Sequence, residues 1–600
     1  QTSASANLYG GAESDIFAFQ GSAVLTGLID GQTGADSLDF SAYGSSRSVN
    51  LTSAGADGFS GTTAAVTAGF SKIGSIIGSS LNADSLTGMN ATANFQIDTA
   101  TTYFTGGYTL TFAGFETLNG GTNVDTFTFA DGATFTGTLN GGSGNDILDL
   151  SAYSSGRSVL LTALGTNDGF KGTLNGLTGF FDNINILIGS SVGGDQLTGM
   201  DATATWNIGS SYNYASGGRT LTFSDIETLL GGTGADAFTF ANGATISSLL
   251  DGNGGTDTLN FAAYTTARNL ILTALGSLDG FTGLETSLPG GFDNIDSFIG
   301  SLTSSGDSLT GLNVISNWTV DGSNQYVSGG RTIAFSNTEI LTGGSATDIF
   351  TITGARPFTL RGGDGADTFT FNNSASLTGG IDGQAGYDTI NMSAFTSARN
   401  ISLSSSTIDG YSGTQSAIGG SGFVGIDRFF GSGATSDTLT GPNGGAIITV
   451  SGANSGDVNG AFDFFNYENL IAGSGNDTIA FTGSGTLSGT VNAGSGTDVL
   501  DYSAYSTGVN VNLHTSLVTV DTVNYNARSA TGIFSGAANG ISNFNNIVGS
   551  PLADVLIGDN SVNMITGGSG DDKLVGLGAN DAYLFGDNYG VDSIREIALG

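Results

Sequence analysis

Apolar and polar residues alternate in short bursts along the whole chain, as in Phe127-Thr-Phe129 and Leu148-Asp-Leu150. A period of two predicts strands with one face in a core and the other in solvent. No segment carries the 3.6-residue period of a helix. Most bursts follow a glycine-rich turn that ends in aspartate. The apolar residue two places after that aspartate is predicted to point inward and to stack in core ladders. The turn reads Gly-Gly-x-Gly-x-Asp at Gly141 to Asp146, Gly231 to Asp236, Gly362 to Asp367 and Gly567 to Asp572. Looser copies end at Asp15, Asp36, Asp125, Asp257, Asp348, Asp388, Asp477 and Asp498.

The spacing of these turns predicts the architecture. Asp15 to Asp36, Asp125 to Asp146, Asp236 to Asp257, Asp367 to Asp388 and Asp477 to Asp498 share one separation, 21, and Asp348 to Asp367 is 19. A turn and strand recurring at that interval predict an all-β parallel solenoid, or β-roll, of about 20-residue coils stacked in register. A larger period of about 110 residues overlies it. Its anchor, Tyr43, Tyr153, Tyr264, Phe395 and Tyr505, recurs at intervals of 110, 111, 131 and 110. The long interval is expected to hold one inserted coil. The predicted segments are 1–119, 120–229, 230–341, 342–471 (with the extra coil), 472–548 and 549–600.

Each large repeat carries further modules in order. After the paired turns come Asp-Gly-aromatic (Asp57, Asp168, Asp279, Asp409) and Asp-x-Leu-Thr-Gly (Asp84, Asp195, Asp307, Asp437). A Gly-Gly-Arg-Thr strand, at Gly217 and Gly329, and a glutamate at 116, 227, 339 or 468 precede the next pair. The interval from Asp84 to Asp125 is 41, which predicts two coils. Asp36 to Asp84 is 48, which predicts two coils and an excursion loop around the Asp-Gly-aromatic element. In the tail, Asp554, Asn563, Asp572, Asp581 and Asp592 are spaced 9, 9, 9 and 11. A nine-residue half-coil predicts turns on both edges of an 18-residue coil.

Composition changes this picture in two ways. Glycine is 100 of 600 residues, yet 38% are hydrophobic, too many for a disordered Gly/Ser linker. Net charge is −38, and only seven of the 52 acidic residues are glutamate. Carboxylates one strand spacing apart repel by ~3–4 kcal/mol at an effective dielectric of 20. Divalent cations between them reverse that sign, and Ca²⁺ suits stacked oxygen ligands. The predicted metal ligands are Asp15, Asp36, Asp125, Asp146, Asp236, Asp257, Asp348, Asp367, Asp388, Asp477 and Asp498 in the body, and Asp554, Asp572, Asp581 and Asp592 in the tail. Fourteen scattered basic residues argue against nucleic acid as a partner. No apolar run approaches a membrane span. There is no cysteine, hence no disulfide or thiolate site. The chain is expected to be a piece of a longer protein.

Gly567-Gly-Ser-Gly-Asp-Asp-Lys-Leu-Val575 has the form GGxGxDxUx, so residues 549–595 resemble the RTX (haemolysin-type calcium-binding repeat) family. Phe115-Glu-Thr-Leu-Asn-Gly-Gly121 and Tyr467-Glu-Asn-Leu-Ile-Ala-Gly473 resemble the repeat arrays of giant bacterial surface proteins and RTX adhesins. The resemblance implies Ca²⁺ held by turn carbonyls and Asp carboxylates and shared between stacked turns. It also implies type I secretion and folding in external calcium.

No catalytic constellation is expected. His514 is the only histidine and sits among apolar residues. Arg47, Arg157 and Arg268 recur at equivalent places, as do Arg219 and Arg331, which predicts structural roles rather than the single basic residue of a β-helix polysaccharide lyase. The expected function is an extracellular, Ca²⁺-stiffened stalk, sheath, filament or S-layer lattice of a bacterial cell surface. The alternative is an adhesin stalk whose binding domains lie elsewhere. The expected partners, besides Ca²⁺, are other copies of the chain or cell-surface polysaccharide.

Overall fold

The structure, a computed structural model, describes residues 3–81 and 83–595, so residues 1–2 and 596–600 of the first and last predicted segments lie outside it. The described residues form strands and turns, with a single 3-10 turn at Phe534–Gly536 and no α-helix. The chain divides into two compact units, Gln1–Ser304 and Ser305–Gly600. Both are all-β and built from long, mainly parallel sheets, as the turn spacing predicts.

In the first unit each coil contributes one strand to each of two sheets. Asp125–Phe129, Ile147–Asp149 and Ile186–Ile188 are successive parallel rungs of one sheet. Thr117–Asn119, Thr138–Asn140 and Phe181–Ile184 are rungs of the other. The residues two places after the turn aspartates form the core ladder. Phe127, Leu148, Phe238 and Leu259 are all buried, with Phe127 opposite Leu148 and Phe238 opposite Leu259. Wide rings stack along it, Phe95 on Phe127 at 5.0 Å and Trp206 on Phe238 at 5.6 Å. Each such side chain taken out of water stabilises the fold by about 1.5–3 kcal/mol.

The coils are not uniformly parallel. Ala93–Ile97, Thr102–Thr105 and Tyr108–Ala113 form an antiparallel meander inside the sheet that carries the aspartate turns. Its outer strands rejoin the parallel ladder, against Asp125–Phe129 on one side and Ser75–Ile77 on the other. The reversal follows from Gly106-Gly107, both at positive φ (57° and 85°), the two-glycine turn that right-twisted hairpins prefer. The segment from Asp84 to Asp125 therefore holds one coil and a meander, not the two coils that its length predicts. Ser85–Thr87 pairs directly with Thr117–Asn119, with no rung between them. The predicted excursion loop is likewise a strand pair. Ser158–Leu164, Phe170–Leu174 and Phe181–Ile184 form a second meander in the opposite sheet, with Asp168 in its first turn.

The second unit repeats this plan. Its meanders are Ser316–Val320, Gln325–Ser328 and Arg331–Ser336, and Ile447–Gly452, Ser455–Val458 and Phe462–Phe465, in one sheet, and Ile401–Thr407, Gly410–Gln415 and Ile418–Ile426 in the other. An extra rung stands where the long anchor interval predicts it: Phe350 lies opposite Phe369, and Phe369 opposite Ile390. From Asn546 the rungs shorten. Asn546–Val548, Met564–Thr566 and Ala582–Leu584 step by 18 in one sheet. Val555–Ile557, Lys573–Val575 and Ser593–Arg595 alternate with them in another.

Candidate metal centres

The motif builds a buried carboxylate, and each glycine has a separate part in it. At Gly141 a Cβ would stand 2.5 Å from Oδ2 of Asp146 and 2.3 Å from the Asn183 carbonyl oxygen, so the first glycine leaves the space that the carboxylate fills. Gly142 and Gly144 hold φ of 96° and 139°, a region that side chains disfavour. The aspartate turns inward and its Oδ1 accepts the backbone N–H of the aspartate one coil earlier. Asp15 donates to Asp36 at 2.9 Å, Asp125 to Asp146 at 2.8 Å, Asp236 to Asp257 at 2.8 Å, Asp348 to Asp367 at 2.7 Å, Asp367 to Asp388 at 2.8 Å and Asp477 to Asp498 at 2.8 Å. This ladder joins neighbouring coils along one edge of the body. In the tail the same bond occurs on both edges, with Asp554 to Asp572 and Asp572 to Asp592 on one and Asn563 to Asp581 on the other.

The second carboxylate oxygen sorts the turns into classes. In three first turns it is satisfied locally: Gly121, Gly232 and Gly344 donate to Oδ2 of Asp125, Asp236 and Asp348, although Oδ1 of Asp125 is buried without a partner. In the second turn it has no partner. Oδ2 of Asp36, Asp146, Asp257, Asp367, Asp388 and Asp498 is buried without a hydrogen bond, and so is Oδ2 of Asp477, Asp572 and Asp592. In Gly-Ser turns a serine hydroxyl takes that place, Ser79 for Asp84, Ser190 for Asp195 and Ser432 for Asp437 at 2.7–2.8 Å. Asp554 belongs to this saturated class. Its carboxylate accepts the amide and hydroxyl of Ser550 and the amide of Val509. Of the other predicted ligands, Asp15 and Asp581 are only half-buried. Asn563 donates its amide to the Asn545 carbonyl, a bond that no ionised carboxylate can make.

Burial raises the affinity of these carboxyls for protons. Asp257 is pushed up to about 8, first by desolvation and then by Asp236, Asp296 and Asp279. Asp388 reaches about 8 for the same reason, with Asp367, Asp427 and Asp382 adding to it. Desolvation lifts Asp125 and Asp367 to about 7, and Asp146, Asp236, Asp554 and Asp572 to about 6. A group so placed holds a proton or a cation near neutral pH; ionised alone, it opposes folding.

The structure brings two further aspartates to this edge that the turn motif does not contain. Carboxylate oxygens of Asp257, Asp279 and Asp296 lie within 4.8 Å of one another. Asp279 comes from a meander turn, and its Oδ2 accepts the N–H of Gly255 at 2.9 Å. Asp296 accepts the N–H of Asp257 at 3.1 Å, one step along the ladder. The recurring Asp-Gly-aromatic module was the sequence signal for Asp279, though nothing in its spacing points to Asp257 as a neighbour. The glutamates are also explained. Glu116, Glu227, Glu339 and Glu468 accept the N–H of Asp84, Asp195, Asp307 and Asp437 at 2.9 Å, taking the ladder position on the opposite edge.

The recurring arginines stack on their anchors. Guanidinium carbons of Arg47, Arg157, Arg268 and Arg399 lie 3.7–4.3 Å from the ring centres of Tyr43, Tyr153, Tyr264 and Phe395. Arg219 donates to the carbonyls of Gly165, Asn167 and Gly169, which fixes the turn holding Asp168. His514 is buried and its Nδ1 accepts the Ser516 N–H. Among the described residues no helix is long and apolar enough to cross a membrane. No family model and no curated protein matches the chain.

Proposed function

We propose that the chain is an extracellular calcium-binding structural repeat protein of a bacterial surface, in which Ca²⁺ between stacked Asp turns stiffens the solenoid as part of a stalk, sheath, filament or lattice. One observation supports this most directly: along the body of the chain, turn after turn on one edge presents a buried aspartate oxygen without a hydrogen-bond partner. A carboxylate needed only to cap a turn is satisfied by serine, as at Asp195. Hard oxygen donors in a flexible glycine-rich loop favour Ca²⁺ over softer ions. The observed side chains assemble no acid, base and nucleophile into a single exceptional site; their pattern is periodic, which suits a mechanical role. The expected result is a large Ca²⁺-dependent gain of β-structure and of thermal stability by circular dichroism, reversed by EGTA. A chain equally folded and equally stable in EGTA refutes the proposal. Electron microscopy at rising concentration separates single stalks from ordered assemblies.

A further inference from the structure

The meander turn that carries Asp279 has no obvious reason to present a carboxylate to the solenoid wall. It joins two antiparallel strands, Asn269–Leu275 and Phe281–Glu285. Its conformation is nevertheless set from that wall. Asn294, at a positive φ of 55°, accepts the N–H groups of Leu278 and Asp279 and donates to Asp251 at 2.7 Å. Gly255 then fixes one oxygen of Asp279, while the other, Oδ1, is buried with no partner. Opposite it, Asp257 is 0% exposed and its Oδ2 also lacks a partner. Three carboxylates with oxygens within 4.8 Å repel strongly unless something positive lies among them. No basic side chain donates a hydrogen bond or ion pair to Asp257 or Asp279 among the described residues.

We propose that Asp257, Asp279 and Asp296 form a Ca²⁺ site that fastens the antiparallel meander to the solenoid. The site rests on the calcium reading above but is distinct from sharing an ion between successive glycine-rich turns, because one ligand comes from outside the coil. Each carboxylate offers one oxygen to the cluster, and carbonyls or waters would complete the six to eight oxygens that Ca²⁺ takes.

The preceding repeat carries the same geometry with one charge fewer. Asp146 is buried with Oδ2 unpartnered, Asp168 Oδ1 is buried and unpartnered, and Asp168 Oδ2 accepts the Gly144 N–H at 3.1 Å. Asn183 repeats the part of Asn294, bonding the N–H groups of Asn167 and Asp168. At the third position Asn185 replaces Asp296, and its side-chain oxygen accepts the N–H of Asp146. Affinity follows the number of charged ligands, so the Asp257 site fills first and the Asp146 site later.

The test uses the full chain stripped with EGTA and titrated with Ca²⁺ by calorimetry, alongside amide hydrogen exchange over residues 276–285. Asp279→Asn is expected to weaken the tightest binding step by roughly tenfold or more and to abolish Ca²⁺-dependent protection of that turn. Asp296→Asn recreates the ligand set already present around Asn185, so it is expected to fold and to bind like the weaker site. Asp168→Asn should leave the tightest step and the protection of residues 276–285 unchanged. Three results overturn the inference: Ca²⁺ binding with an unaltered tightest step in Asp279→Asn and Asp296→Asn, binding without protection of residues 276–285 in the unmodified chain, or full displacement by equimolar Mg²⁺. The first two leave the broader calcium reading standing; a chain that binds no Ca²⁺ at all ends both.

Discussion

Protons and calcium compete for the same buried carboxylates, so stability must depend on pH without the cation and lose that dependence with it. Without a cation, Asp257 and Asp388 are pushed up to about 8, and Asp125 and Asp367 to about 7, against an ordinary value of 3.8. Their folded-state values lie above the unfolded ones, so the folded chain holds protons that the unfolded chain has released. Stability then falls as pH rises through that window, by about 1.4 kcal/mol per pH unit for each such group. Between about pH 6 and 7 each compact unit has two of these groups, and between about pH 7 and 8 it has one. The expected loss in EGTA is therefore on the order of 4 kcal/mol per unit from about pH 6 to 8, a large share of a typical 5–15 kcal/mol. In millimolar Ca²⁺ the ion displaces those protons, so the folded and unfolded chains are equally ionised at these groups and the slope flattens towards zero. Urea unfolding followed by circular dichroism at the two pH values, each in EGTA and in Ca²⁺, measures both slopes. Calorimetry in buffers of different ionisation enthalpy counts the protons released. Stability that rises with pH in EGTA, or slopes that do not differ between EGTA and Ca²⁺, would refute the reasoning.

Three further outcomes follow from single contacts. Gly252→Ala places a Cβ 2.2 Å from the Asn294 carbonyl and 2.6 Å from Asp257 Oδ2, so about 1–3 kcal/mol of stability should be lost in urea melts in EGTA, and more in Ca²⁺ because the Asp257 carboxylate is displaced. Ser190→Ala removes the hydroxyl at 2.7 Å from Asp195 and should lower stability by about 1 kcal/mol independently of Ca²⁺. Arg219→Ala should speed hydrogen exchange at residues 165–169 while leaving the exchange of the Phe238 rung unchanged.

The parts of this fold that could be read in the sequence are those fixed by local chemistry at constant spacing. A glycine-rich turn, an aspartate and an apolar residue two places on define a rung, and Leu148, Phe238 and Ile390 are buried where that rule puts them. The rest depends on where the chain goes between rungs. Thr203 to Ile208 and Gly217 to Phe223 alternate with period two whether they run parallel or antiparallel, so the pattern is blind to strand direction. The direction resides in Gly217-Gly218, a pair that reads as flexible until its two positive φ values are seen. The same ambiguity hides Asp279. It stands a full coil or nearly so from both Asp257 and Asp296 in sequence, and it is recognised as their neighbour only once the meander folds its turn back onto the wall.

Meanders set a mechanical problem that the carboxylate clusters address. A uniform parallel solenoid transmits load through a continuous ladder of backbone hydrogen bonds, each rung contacting only its neighbours. A meander joins that ladder by its outer strands alone, and its tip turn hangs on side-chain contacts. The Asp168 tip is held in part by Arg219 through the carbonyls of Gly165, Asn167 and Gly169, and those bonds require no cation. Where the carboxylates of Asp168 and Asp279 reach the wall, the bond is conditional on what lies between them. The body of each coil thus adds apolar ladders to its Asp turns, while the tips of the meanders reach the wall through carboxylates and should yield first as Ca²⁺ is withdrawn. Partial removal of Ca²⁺ should therefore loosen residues 276–285 before the Leu259 and Phe298 rungs exchange, and a single cooperative loss of all three would contradict this division of roles.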